Sequence, residues 1–302
     1  MGRVAITIDD QINKLESRGV NFEGFETQKI KEILLDIGYY RLGFYWHDLK
    51  EKNASQNFKN GTKFKTILDL YYLDNDIRYI LVKYLNRIEI NFRTLLVYYV
   101  SNKYRENPFW FVDNNIMQQS FIKEFPNHYN QDFVNKHFVI KNHHKKYPKD
   151  QFAPAWKTLE NFPFGAIFKI YQSITDNDIK ERISDKLGIK PIDKFEKTFN
   201  GLVRIRNRCA HGAILYNYYL PKSLPTLPAI DYCDDNRQTL RVVIQVIEYV
   251  LHHISCNRKQ QFIKEINQCL EVFKNENIEA FKLYSTMSGL NIFEENLVLQ
   301  KT

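Results

Sequence analysis

The sequence predicts an all-α protein, a helical bundle with additional helical and irregular segments. Apolar residues recur three or four positions apart along most of the chain, which is the period of a helix that buries one face. No glycine-rich phosphate loop and no internal repeat interrupts this pattern. At 302 residues the chain is long enough for one large or two modest domains. We expect an N-terminal helical segment at 1–60, a main helical domain at 61–280 with an irregular insertion at about 105–155, and a C-terminal tail at 281–302.

The helical patterns follow one another along the chain. They cover the stretches 8–20, 26–50, 64–104, 155–174, 178–187, 193–212, 240–256 and 258–274. The longest is expected to break near Asp74 and Asn75, and its broad apolar face is made by Leu81, Leu85, Ile88, Phe92, Leu95 and Tyr99. Between 105 and 155 the period is lost and prolines recur, which predicts irregular structure.

The helix predicted at 193–212 carries the most informative residues. Asp193 and Glu196 have the spacing of a capping box at its start. Its core-facing stripe is made by Phe195, Phe199, Leu202 and Cys209. Arg206 falls on this stripe, and a buried guanidinium without a partner costs several kcal/mol or more. We therefore expect Arg206 to be paired or to face a cavity.

The same helix predicts a site for RNA cleavage. Asn207 and His211 are four residues apart and share a face about 100° round from Arg206, with Arg204 and Arg208 on the flank. When a 2′-hydroxyl attacks the neighbouring phosphate, histidine can transfer the proton and arginine can neutralise the developing charge without a metal. We predict His211 as general acid or base, Arg206 as phosphate binder and Asn207 as the group that orients one of them. A solvated arginine face with a histidine near the helix end is the alternative.

A second helix is expected to support this site. Glu89 and Arg93 are four residues apart in the long helical pattern, with Asn86 one turn earlier. Glu89 and Arg93 form either an ordinary ion pair one helical turn apart or part of a support in which Glu89 or Asn86 holds Arg206.

Composition favours a polyanionic partner, and the cysteines predict a location in the cytoplasm. Lysine and arginine number 43 against 35 acidic residues, which gives a net charge of +8. Among the basic residues, Lys141, Lys145 and Lys146 either grip phosphates or belong to a solvated loop. The four cysteines show no paired spacing and predict reduced thiols, and no membrane span or signal peptide is expected. His143-His144 and His252 with Cys256 are too few ligands for a metal site, so neither a metal nor another cofactor is predicted.

Several segments resemble one family, the bacterial abortive-infection proteins of the AbiD/AbiF type, a branch of the HEPN (higher eukaryotes and prokaryotes nucleotide-binding) superfamily. The segments occur in the family's order and include Gly38-Tyr39-Tyr40-Arg41-Leu42 with Tyr45, Gly61 to Phe64, Asp74 with Arg78, Arg87 to Ile90 with Arg93, Pro154-Ala155-Trp156, Arg206 to His211, and Leu215-Tyr216-Asn217. The family usually has a histidine and a basic residue where this chain has Gly212 and Ile214.

The resemblance implies an all-helical HEPN-like core and a role in phage defence through growth arrest. It also implies endoribonuclease activity on single-stranded RNA without a metal, and a homodimer in which two copies of the arginine–histidine helix face each other. Two further interpretations stay open: a non-catalytic RNA-binding module, for example for a structured small RNA, or a partner-binding subunit of a toxin–antitoxin-like system, with an antitoxin as a possible partner.

Overall fold

The protein is all-α, as predicted. The computed structural model describes residues 4–52, 56–230, 232 and 236–290. Within these residues there is no β-strand, and short 3-10 helices lie at His47–Leu49, Trp110–Val112 and Leu159–Asn161. The α-helices are α1 (Ile8–Glu16), α2 (Thr27–Asp36), α3 (Tyr39–Leu42), α4 (Phe64–Lys103), α5 (Gln119–His128), α6 (Gln131–Lys136), α7 (Phe138–Lys146), α8 (Ala155–Thr158), α9 (Phe164–Ser173), α10 (Asn177–Lys186), α11 (Ile192–Ala210), α12 (Leu240–Ile254), α13 (Cys256–Glu276) and α14 (Ile278–Ser288).

Helix α4 is the central element of the bundle. It has 40 residues, so it is about 60 Å long at the rise of an α-helix. Helices α10 to α14 all pack against it. Its buried face follows the predicted period, although Leu96 and Val100 take the core positions expected for Leu95 and Tyr99. Its buried side chains come from every turn, which makes α4 the scaffold on which the other helices are placed.

The break predicted in α4 near Asp74 is absent, and the helix runs without interruption through this residue. Aspartate disfavours a helix interior when its carboxylate competes for nearby backbone groups. Here the Asp74 carboxylate is fully buried and accepts hydrogen bonds from distant parts of the chain instead. The local signal for a break is therefore overridden by tertiary contacts.

Helix α11 lies antiparallel to α4. The Phe92 ring of α4 lies 4.9 Å from the Phe199 ring and 5.9 Å from the Phe195 ring, centroid to centroid. Further along α11, Arg206 contacts Glu89, which precedes Phe92 in α4. Residue numbers thus rise along α11 as they fall along α4.

The capping box predicted at Asp193 is wrong. Helix α11 begins at Ile192, with Pro191 as its N-cap in an extended conformation and no side-chain capping bond. Since the helix has already begun, the Asp193 carboxylate pairs with Lys197 one turn later, at 3.1 Å. Glu196 points to α10, where its carboxylate lies 3.6 Å from Lys180 Nζ.

The segment predicted to be irregular at 105–155 contains three helices, α5 to α7. The period was not visible because Pro126 lies inside α5 and α6 has only 6 residues. Rings pack around Phe125 in this segment, among them Phe111, Tyr129, Phe152 and Phe162. The basic run at 141–146, expected as a loop, belongs to α7.

Buried side chains from Ile12 to Leu290 form one contiguous hydrophobic core. The division after residues 60 and 280 stays a prediction, and buried side chains on both sides of each position belong to this core. Helix α14 spans the second boundary, with Phe281 and Tyr284 buried, because its apolar side chains pack against α4 and α13. Residues 291–302 of the predicted tail, and Cys233, lie outside the described residues. In the described part of the chain, no helix combines the length and apolar character needed to cross a membrane.

Candidate functional site

Gly212 fixes the end of α11 and thereby the place of His211. Gly212 has a φ of +65°, in the left-handed region that favours glycine. Its N–H donates to the Cys209 carbonyl at 3.1 Å, and the N–H of Ala213 donates to the Arg208 carbonyl at 2.9 Å. This pair of bonds is the Schellman motif, which closes a helix and satisfies its last carbonyls. Gly212, where the family usually has a histidine, therefore has a structural role as the residue that closes α11.

His211 is the C-cap residue of α11 and its side chain is exposed. Within the residues that the structure describes, its imidazole makes no hydrogen bond. Two residues earlier, Cys209 is buried, and burial raises the pKa of its thiol to about 12. At neutral pH Cys209 is thus protonated and a poor nucleophile. His211 is therefore a side chain at this helix end that can transfer a proton and is open to an incoming molecule.

Arg206 is paired, as its position on the apolar stripe requires. Its Nη2 lies 2.9 Å from Glu89 Oε2. Its Nη1 donates to the amide oxygen of Asn207 at 3.2 Å. The Arg206 side chain is 23% exposed, against 4% for Glu89. One edge of the guanidinium is thus held by the protein while the group stays open to solvent. Asn86, the other candidate support, is exposed.

Glu89 is shared by two arginines. Arg93 Nη2 donates to Glu89 Oε1 at 2.9 Å and to the Phe162 carbonyl at 2.9 Å. Glu160 lies 3.8 Å from Arg93, but it is 69% exposed, so water screens it. Two guanidinium groups on one buried carboxylate leave an excess of positive charge, and such a surplus attracts anions such as phosphate.

The other basic residues of α11 have different surroundings. Arg204 is exposed. Arg208 Nε donates to the Ile214 carbonyl at 2.5 Å, and its guanidinium carbon lies 3.7 Å from the centre of the Tyr218 ring. Arg208 therefore holds the loop after α11 through a hydrogen bond and a cation–π contact. Any contact of Arg208 with RNA has to use its remaining N–H groups.

The predicted lysines are carried by a different element. Lys141, Lys145 and Lys146 are exposed on α7, which packs against α6 and α8. On the same helix, His143 is buried and its Nε2 lies 3.0 Å from Asp150 Oδ2. His144 Nε2 lies 2.8 Å from the Tyr129 hydroxyl. Both histidines have partners in the packing, and the described residues contain no group of three or more potential metal ligands.

A buried acceptor, Asp74, lies beneath the candidate site, and the sequence alone does not indicate this role. Its carboxylate accepts hydrogen bonds from the hydroxyls of Tyr45 at 2.8 Å and Tyr284 at 2.9 Å. It also accepts the backbone N–H groups of Tyr216 at 2.6 Å and Leu215 at 3.1 Å. Burial raises the pKa of the Asp74 carboxyl, while these donors and the nearby Arg78 act in the opposite direction. Four donors thus tie the segment after His211 to α4, to α14 and to the residues after α3.

Two further arginines lie beside Gly212 and were also missed. Arg41 Nη1 donates to the Gly212 carbonyl at 2.9 Å. Arg78 is buried beside the same residue, since a Cβ on Gly212 would lie 3.4 Å from its Nη1. Arg78 Nη2 donates to Asn75 at 2.7 Å. Arg41, Asp74 and Arg78 belong to the segments that resemble the family. Their sequence positions do not show that they meet at the end of α11.

The fold and this site define an all-helical protein with an arginine–histidine helix held against a long central helix by a buried glutamate. Comparison with known families places it more narrowly. The profile of the family described as "Abi-like protein" matches residues 32–217, more than half of the chain, and the chain belongs to this family. Membership supports a role in abortive infection, a form of defence against phage. Neither the comparison with curated proteins nor that with solved structures gave a match.

The matched range includes the Arg206–Glu89 pair and most of the residues that bond Asp74. It begins in α2 and ends at Asn217, just after the two backbone N–H groups that bond Asp74. Tyr284, the remaining donor to Asp74, lies beyond the matched range. The arginine–glutamate pair and most of the Asp74 network are therefore contained within the family's own segment.

Proposed function

We propose that this protein is an abortive-infection endoribonuclease that cuts single-stranded RNA without a metal, with a HEPN-like core. His211 acts as the general acid or base, and Arg206 binds the scissile phosphate and stabilises its developing charge. Asn207 orients the Arg206 guanidinium through its amide oxygen. One observation carries the proposal. Arg206 of α11 is paired with buried Glu89 of α4, and α11 ends at the exposed His211.

A second copy of the chain is needed to complete this site. Arg206 and His211 are five residues apart, so they lie about 140° apart around the helix and about 7.5 Å apart along it. Proton transfer to the attacking and the leaving oxygen needs two groups, and each chain supplies one exposed histidine at this helix end. Two copies of α11 that face each other across a two-fold axis would bring both histidines and both arginines to one cleft.

An exposed stripe fits this pairing. On both helices, the side chains that follow the contact face in the direction of Glu89 and Arg206 turn away from the helix–helix contact. Because α11 runs antiparallel to α4, this turn leads to the same side of the helix pair. The side of α4 that carries Arg93 and the side of α11 that carries Arg206 therefore face the same way. Tyr79, Asn86 and Ile90 lie exposed on that side of α4. We infer from this geometry that they belong to the same surface as Asn207 and His211 of α11.

We expect the protein to be a homodimer in light scattering at micromolar concentration. Ile90→Arg places a charge in the proposed interface and should yield a folded monomer that no longer cleaves RNA. Val272→Arg is the matched control, since Val272 is a similarly exposed apolar residue on α13, and this variant should remain dimeric. A wild-type protein that is monomeric at this concentration would contradict the proposed assembly.

A non-catalytic RNA-binding or partner-binding module is the second candidate function. The Arg206–Glu89 pair favours it in part, because a paired arginine can be a purely structural group. In this case a structured small RNA or an antitoxin would be the partner.

Incubation with RNA in EDTA separates the two functions. The wild type and the His211→Ala variant are compared for cleavage and for binding of the same unpaired RNA. Cleavage that persists in EDTA and disappears in the variant supports the ribonuclease. Tight binding without cleavage by the wild type supports the alternative, and cleavage by the variant at the wild-type rate would remove His211 from the mechanism.

The exposed basic residues are expected to grip the RNA backbone outside the site. For single strands each neutralised phosphate contributes a slope of about −0.7 in log K against log salt. Arg204→Ala and Lys145→Ala should each weaken binding and flatten this slope by about one such step, with little change in the rate at saturating RNA. Lys282→Ala, an exposed lysine on α14, is the control. Slopes equal to that of the control would mean that these side chains do not contact phosphate.

A further inference from the structure

Two exposed aromatic side chains stand beside the end of α11. Tyr40 is 81% exposed and Phe44 is 45% exposed. Their ring centroids are 5.2 Å apart and the ring planes meet at 80°, an edge-to-face contact. Single exposed apolar residues are common on proteins, but here one ring braces the other. We call Tyr40 and Phe44 the aromatic platform.

The platform has a fixed position relative to His211. Arg41, the residue after Tyr40, donates to the carbonyl of Gly212, the residue after His211. Tyr45, the residue after Phe44, is buried and donates to Asp74, which in turn binds the backbone at Leu215 and Tyr216. Gly38, with a φ of +91°, allows the sharp turn from α2 into α3 that presents Tyr40. Contacts on both sides thus tie the platform to the candidate site.

The chemistry of this surface suits a nucleic-acid base. An exposed ring offers a base a stacking face. Arg41, the residue after Tyr40, carries a positive charge in the same segment. Every base has a π-face, so stacking accepts many sequences but requires that the base be unpaired. The net charge of +8 favours a polyanionic partner for the protein as a whole.

We propose that the aromatic platform stacks an unpaired base of the RNA next to the scissile phosphate, with Tyr40 as the main stacking face. This inference rests on the proposed ribonuclease function and adds the group that recognises the substrate. The platform favours loops and single-stranded regions over duplex RNA, because only there is a base face free. It acts in binding and register and takes no part in proton transfer.

A double-mutant cycle tests the stacking contact. Wild type and Tyr40→Ala are titrated with a short unpaired oligoribonucleotide carrying 2′-O-methyl groups, which blocks cleavage, and with the same strand containing abasic positions. Loss of one stacked base costs about 5-fold to 160-fold in affinity. We expect Tyr40→Ala to weaken binding of the intact strand by this factor and to leave binding of the abasic strand nearly unchanged. Tyr40→Phe, which keeps the ring, should retain wild-type affinity.

The control is Tyr98→Ala, because Tyr98 is a 59% exposed tyrosine on α4, about 30 Å along the helix from Arg78. If Tyr40→Ala binds the intact strand as tightly as this control while the wild type cleaves RNA, the platform inference is overturned and the ribonuclease stands. If Tyr40→Ala changes the oligomeric state but not RNA affinity, the platform is a protein interface, and the inference is overturned as well. A wild type that neither binds nor cleaves RNA overturns both proposals together.

Discussion

Arg206→Ala is expected to lower the cleavage rate at saturating RNA by about 10²-fold to 10³-fold, the loss seen when a group that stabilises a transition-state charge is removed. The binding constant for RNA should change far less, since charge on the phosphate oxygens develops as the reaction proceeds. Single-turnover rates and binding titrations with the same RNA measure the two quantities separately. The expected signature is a lost rate with retained affinity.

The structure predicts that this variant stays folded. Glu89 keeps Arg93 as a partner at 2.9 Å after Arg206 is removed, so its buried carboxylate remains neutralised. Arg204→Ala is the matched control on the same helix and should show the opposite pattern, weaker binding at an unchanged saturated rate. A large fall in the melting temperature of Arg206→Ala would instead mark Arg206 as a structural residue, and its catalytic assignment would fail.

Asp74→Ala is expected to reduce the free energy of unfolding by about 3 to 5 kcal/mol, as when one partner of a buried charged network is removed. Its donors, the hydroxyls of Tyr45 and Tyr284 and two backbone N–H groups, would lose their acceptor inside the core. The nearby buried Arg78 would lose its counter-charge. Urea denaturation followed by circular dichroism measures the change.

Asp76→Ala is the control for this experiment, since Asp76 is two residues away on the same helix and exposed. It should change stability by less than about 0.5 kcal/mol, as is usual for surface positions. Tyr45→Phe should cost about 1 kcal/mol, the value of one hydrogen bond. Equal urea midpoints for the Asp74 and Asp76 variants would show that the Asp74 network contributes nothing to stability.

The helical fold and the Arg206–Glu89 pair could be predicted because their sequence signals are local. Helical period depends on residues three and four apart, and it placed α4, α11, α12 and α13. The position of Arg206 on an apolar stripe required a partner, and Glu89 was one of the two named candidates. Both the apolar face of α11 and the charged Arg206 on it are visible within a single segment of the sequence.

The rest of the site depends on contacts between distant segments. Asp74 looked like a helix breaker, because nothing near it in sequence shows that tyrosines from two other places reach its carboxylate. Arg41 and Gly212 are separated by 171 residues, so their hydrogen bond has no local signal. The helices of 119–146 were missed for other reasons: Pro126 lies inside α5, and α6 has only 6 residues.

The donors to Asp74 are spread widely along the chain, with Tyr45 29 residues before it and Tyr284 210 residues after it. A ribosome makes the chain from its N-terminus, so Asp74 and His211 emerge before α14 does. Until then the carboxylate lacks one of its donors, and the segment at 215–216 is anchored to an unfinished bundle. Because the chain is made from its N-terminus, this network is completed only after α14 has been synthesised.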